Sequence, residues 1–87
     1  MNIRHLEILD AVEQTGTFTG AAKKLHLTQS AVSHAIAELE QQAGTVLFNR
    51  FSKGVSLTNC GLSLLGEARS VLAAYRNLDN KIEHLEE

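Results

Sequence analysis

Apolar residues along the chain fall first at helical spacing, then briefly at strand spacing, then at helical spacing again. Leu6, Leu9 and Val12 recur three apart with Ile8 and Ala11 beside them. Asn2 stands before them as a cap and Gly16 after them as a stop, which predicts a first helix. Thr17-Phe18-Thr19 opens a short second helix, Gly20 to Leu25, in which Ala21 and Ala22 are small enough for another helix to approach closely. Thr28 predicts the start of a third helix, because its hydroxyl can accept from amides one turn on. From there Val32, Ala35, Ile36, Leu39 and Ala43 form one apolar stripe, ended by Gly44. The opposite face holds Gln29, Ser30, Ser33, His34, Ala37 and Gln41; it is polar, short and almost uncharged.

Val46-Leu47-Phe48 and Val55-Ser56-Leu57 then predict two short strands, with Asn49 to Gly54 as a turn carrying Arg50 and Lys53 at a basic tip. Thr58 caps a last helix expected from about Asn59 to the end, with Leu57 and Leu62 placed as a hydrophobic staple. Within it Gly61, Ala68, Tyr75 and Ile82 recur every seven residues, and Leu64, Val71, Leu78 and Leu85 recur likewise. Together they predict a seam that packs one helix on another. A second line, Leu62, Leu65 and Leu72, is expected to fasten the helix to its own domain. So short a chain has few apolar residues left to cover the far end of the seam. The expectation is therefore a homodimer whose interface is Ala68, Val71, Tyr75, Leu78, Ile82 and Leu85.

The middle of this plan is a helix-turn-helix: a short helix, a tight turn at His26-Leu27-Thr28, and a longer amphipathic helix. Such a helix can bury one face and push the other into a major groove, with its N-terminal residues deepest. Gln29 can pair both groups on the edge of an adenine, and Ser30 or Ser33 can bond bases or phosphates. A plain helical hairpin carries the same pattern. A basic-tipped hairpin after the helix-turn-helix adds a wing, from which Arg50 and Lys53 reach phosphates or the minor groove; a solvated turn with two cations is the other reading. The fold class expected is mainly α, a winged helix-turn-helix over residues 1–58 followed by a long helix over 59–87.

Charge changes the picture only through its placement. The net charge is −2, which argues against indiscriminate binding to nucleic acid. Yet no acid occurs from Gln14 to Ala37 or from Gln41 to Gly66, the stretches that hold Lys23, Lys24, Arg50 and Lys53. Cys60 is the single cysteine, so no disulfide framework or thiolate-rich metal site is expected. His5, His26, His34 and His84 share no ligand spacing, so neither metal nor cofactor is expected. No acid–base dyad, nucleophile–base pair or phosphate loop appears, and an enzyme is not expected. No apolar run approaches the roughly 20 residues needed to cross a membrane, and a cytoplasmic location is the expectation. A winged-helix module for protein–protein contact remains as a rival.

Phe18 to Leu25, Thr28-Gln29-Ser30-Ala31-Val32-Ser33, Leu39-Glu40, Leu47-Phe48-Asn49-Arg50 and Leu57 to Gly61 stand in one order and spacing. As a set they resemble the N-terminal signature of bacterial LysR-type transcriptional regulators. The resemblance implies a sequence-specific double-stranded DNA-binding domain acting as a dimer on two half-sites, its linker helices antiparallel. It also implies a separate C-terminal effector domain, through which a small-molecule effector would act. The DNA-contacting positions it implies are Thr28, Gln29, Ser30, Ser33 and His34 in the third helix, and Arg50 and Lys53 at the wing. The chain departs from the pattern at His34, Ala37, Ser52 and Ser56, where relatives often carry basic residues, which implies fewer phosphate contacts per domain.

Overall fold

A computed structural model describes residues 1–85. Four helices and one hairpin follow in order: α1 (Ile3–Thr15), α2 (Phe18–Leu25), α3 (Gln29–Ala43), β1 (Phe48–Phe51), β2 (Gly54–Leu57) and α4 (Asn59–Glu83). Each helix starts at a polar side chain that takes an otherwise orphaned amide. Asn2 accepts from His5, Thr17 from Gly20, Thr28 from Ala31 and Thr58 from Gly61. Gly16 and Gly44 end α1 and α3 in the left-handed conformation that lacks a Cβ penalty.

The apolar stripes meet in one core. Leu9, Val12, Val32, Ile36, Leu47, Leu65 and Leu72 are fully buried in it, and Phe18 meets Phe48 edge-on, with ring centroids 6.2 Å apart. The core runs past the end of the wing into α4, through Leu65, Ala68 and Leu72. Among the described residues one acid lies inside: Asp10 accepts from Arg69 Nε at 2.9 Å and from Gln14 Nε2 at 3.3 Å, a charged tie between α1 and α4.

The hairpin is tighter than the sequence suggested. Its strands pair antiparallel, Phe48 with Leu57 and Phe51 with Gly54, around a turn at Ser52-Lys53. The ladder begins at Phe48, not Val46, because the Glu40 carboxylate accepts from the amides of Leu47 (2.7 Å) and Phe48 (3.4 Å), and Val46 is left exposed. At the other end, Gly54 holds φ +155 against the carbonyl of Gly16, where a Cβ would collide. The Val55 amide then donates to that carbonyl at 2.9 Å. The wing is thus fixed to the α1–α2 junction.

Three expectations for α4 change. Gly61 and Ala68 are buried in the chain's own core, with Ala68 only 3% exposed, so neither joins an outward seam. Gly61 sits against the carbonyl of Leu47, leaving no room for a Cβ. Leu62 is turned about 100° from Gly61 and is 61% exposed, so the fastening line is Leu65 and Leu72 without it. The helix ends at Glu83, capped at His84, which leaves Leu85 beyond it. The outward apolar line is therefore Val71, Tyr75, Leu78 and Ile82. The last two residues of the expected 59–87 helix lie outside the described residues.

Candidate nucleic-acid interface

The turn between α2 and α3 decides how α3 leaves the domain. His26 takes a left-handed conformation at φ 58, its amide donating back to Ala22 and Lys23, and the Leu27 amide donates to Ala22 at 2.9 Å. Thr28 then caps α3, its hydroxyl accepting from Ala31 at 3.0 Å. Val32, Ala35, Ile36 and Leu39 bury one side of the helix. Gln29, Ser30 and His34 stand exposed on the other, and Ser33 is half-buried between the two.

Thr28 is therefore spoken for by its own helix. Gln29 is not free either: Thr19 Oγ1, on the first turn of α2, donates to its Oε1 at 3.1 Å. Nothing in the apolar pattern singled out Thr19, because the contact depends on how two helices meet.

Further along the same face lies Glu38. Its carboxylate meets His5 Nε2 of α1 at 3.0 Å and His34 Nε2 at 3.6 Å. His5 Nδ1 meets the Asn2 amide at 3.1 Å and the Asn2 Oδ1 at 2.9 Å, so the cap of α1 holds the ring with Nε2 facing Glu38. That hydrogen bond, foremost, holds the Glu38 carboxyl below the ordinary glutamate value, and the nearby histidine charges add to it. The helix face is thus less uncharged than its first turn suggested, and His34 has an acid beside it.

At the wing, the two cations part company. Arg50 lies in β1, not at the tip. Its guanidinium sits 4.8 Å from the centre of the Phe18 ring and 3.9 Å from Glu40 Oε1, while the side chain stays more than half exposed. Lys53 occupies the turn, exposed and without an ion pair among the described residues. Lys23 and Lys24, exposed in the last turn of α2, add two more cations. The tight hairpin and the Glu40 carboxylate explain the difference: they draw residue 50 into the ladder and leave only residues 52 and 53 to turn. Glu40 positions the wing, and only its place beside Leu39 in the motif hinted at it.

Along α4, Val71, Tyr75, Leu78 and Ile82 stand exposed outside the core. Among the described residues no group of three His, Cys, Asp or Glu side chains is placed to hold a metal ion, and no helix is long and apolar enough to cross a membrane.

Residues 3–62 match a family model described as bacterial regulatory helix-turn-helix protein, lysR family. The regulator CbbR of Rhodospirillum rubrum is 39% identical over 84 residues, 97% of this chain and 28% of that protein. The chain thus spans less than a third of the length of this curated relative. Two crystal structures superpose closely. The CbnR_DBD–DNA complex matches at a TM-score of 0.87 and 31% identity, covering 95% of both chains. The BenM_DBD complex with benA site 1 DNA matches at 0.87 and 31%, covering 95% of this chain and 93% of that one.

Proposed function

The chain belongs to the lysR family of bacterial regulatory helix-turn-helix proteins, and on that premise we propose that it binds double-stranded DNA sequence-specifically as the DNA-binding domain of a LysR-type transcriptional regulator. The observation that carries this reading is the first turn of α3. It is capped, fixed to the core on one side, and exposes Gln29 and Ser30 on the other. Those side chains suit base edges in the major groove. Ser33 and His34 follow one turn on. Lys53 at the wing tip suits the backbone or minor groove, and Arg50 offers a phosphate the exposed part of a guanidinium already held by Phe18 and Glu40.

The outward line Val71, Tyr75, Leu78 and Ile82 supports pairing of α4 with α4 of a second copy, antiparallel, so that two α3 helices meet successive major grooves. The division of labour proposed is residues 1–58 for DNA and 59–87 for linking and pairing, with the start of α4 also closing the core. A small-molecule effector would act through a separate C-terminal domain, and the whole would work in the bacterial cytoplasm. The net charge of −2 favours a rival, a winged helix that contacts protein alone. The cations on α2 and the wing oppose it.

Selection of bound sites from random duplexes, run with the unmodified chain and with Gln29→Ala, tests the reading. A shared motif in two half-sites is expected. Gln29→Ala is expected to cost about 1–3 kcal/mol on that site and to relax preference at one position. No retention of any duplex at low salt, or equal losses on selected and random DNA, would sink it.

A further inference from the structure

Gln29 is exposed, and its backbone is fixed by the cap next to it. The side chain is the uncertain part. A glutamine has several rotatable bonds and a terminal amide that turns with little preference. Fixing such a chain on a base costs rotamer entropy that must be set against the two hydrogen bonds gained. In this structure the carboxamide already has a tether: Thr19 Oγ1 donates to Gln29 Oε1 at 3.1 Å. Thr19 is well placed to hold it. Being β-branched, it is stiff at χ1. It also sits in the first turn of α2, whose start is fixed by Thr17 accepting from the Gly20 amide at 2.8 Å.

We propose that Thr19 is a positioning residue for base reading, whose hydroxyl orders the Gln29 carboxamide before DNA arrives. The inference rests on the reading that Gln29 meets a base. One lone pair of Oε1 is taken by Thr19, and the second remains, with both N–H groups of Nε2. That remainder is what an adenine edge requires: an acceptor for its N6 amino group and a donor to its N7. Guanine, with two acceptors on the same edge, uses only the nitrogen end. The tether thus favours A·T at the position Gln29 meets and contributes to discrimination more than to general affinity. A wrong base gains nothing from an amide ordered for the right one.

The experiment measures affinity for the selected duplex and for random duplex in five forms of the chain: unmodified, Thr19→Val, Thr19→Ser, Gln29→Ala, and Thr19→Val with Gln29→Ala. Thr19→Val removes the hydroxyl and keeps the shape. It is expected to lower the ratio of the two affinities about threefold to tenfold, the range for one lost hydrogen-bonded tether. Thr19→Ser is expected to restore most of it. On the Gln29→Ala background, Thr19→Val is expected to leave the ratio unchanged. An unaltered ratio in Thr19→Val, including an equal loss on both duplexes as from a phosphate contact or a loosened fold, overturns the proposal. So does the same drop in ratio when Gln29 is already alanine. If Gln29→Ala alone leaves base preference intact at every position, the failure lies in the reading of Gln29 itself.

Discussion

Glu40 shows how much one side chain can decide. An acid in the last turn of a helix opposes the helix dipole, and α3 carries no basic residue there to offset it. Its carboxylate is occupied instead by two amides of the chain leading into β1 and by Arg50, so a local disadvantage becomes the joint between helix and wing. Lys53 has no such duty. Lys53→Ala is expected to weaken binding to all duplexes alike and to flatten the salt dependence by about one unit of slope. A titration at several salt concentrations checks it, and an unchanged slope removes Lys53 from the interface. Glu38 makes a third case. Its pKa is lowered mainly by the His5 bond, so the stabilisation that bond gives is present above the ordinary glutamate pKa and fades as pH falls through the lowered one. In His5→Ala the Glu38 carboxyl is expected to titrate nearer the ordinary value, as followed by NMR, with less stability lost on the acid side. An unshifted titration contradicts this.

Among the elements, α3 depends on its cap. Thr28→Ala is expected to lower stability by about 0.5–2 kcal/mol, with Thr28→Ser close to the unmodified chain, read from denaturant unfolding. Equal stability of all three would place the start of the helix elsewhere. Caps were legible in the sequence because they are local: Asn2, Thr28 and Thr58 each bond an amide within three residues. The helix-turn-helix order and the buried stripe of α3 were legible for the same reason, since periodicity is a property of neighbours. What escaped was set across the fold. The start of β1 depends on Glu40, seven residues before Leu47. Arg50 leaves the tip for Phe18, on another element. Ala68 and Gly61 matched a heptad, yet the heptad repeat does not say which of two neighbours a helix faces, and the core took them.

At the scale of the molecule, α4 gives the chain its length. The extents are 53 × 25 × 18 Å, and the long axis reflects a helix of 25 residues, about 37 Å at the usual rise. Up to Leu72 that helix has the core behind it. Beyond it, Tyr75, Leu78 and Ile82 stay exposed, at 48%, 59% and 61%. Tyr75→Glu with Leu78→Glu is expected to give a folded monomer with much weaker binding to a two-half-site duplex. Sedimentation and titration check it, and a dimer that survives both charges contradicts the pairing proposed.

A continuous helix in two surroundings also keeps a record of its own assembly. Backbone amides exchange with solvent deuterium through local opening, and opening is easiest where nothing packs. From Leu65 to Leu72 the protecting contacts are intramolecular, so uptake there is expected to be slow and independent of protein concentration. From Ala73 to Glu83 the proposed pairing would add protection from a second copy, so uptake is expected to slow as concentration rises. The concentration at the midpoint of that slowing would report the dissociation constant of the proposed dimer from within a single helix. A common concentration dependence in both halves would place the contact elsewhere.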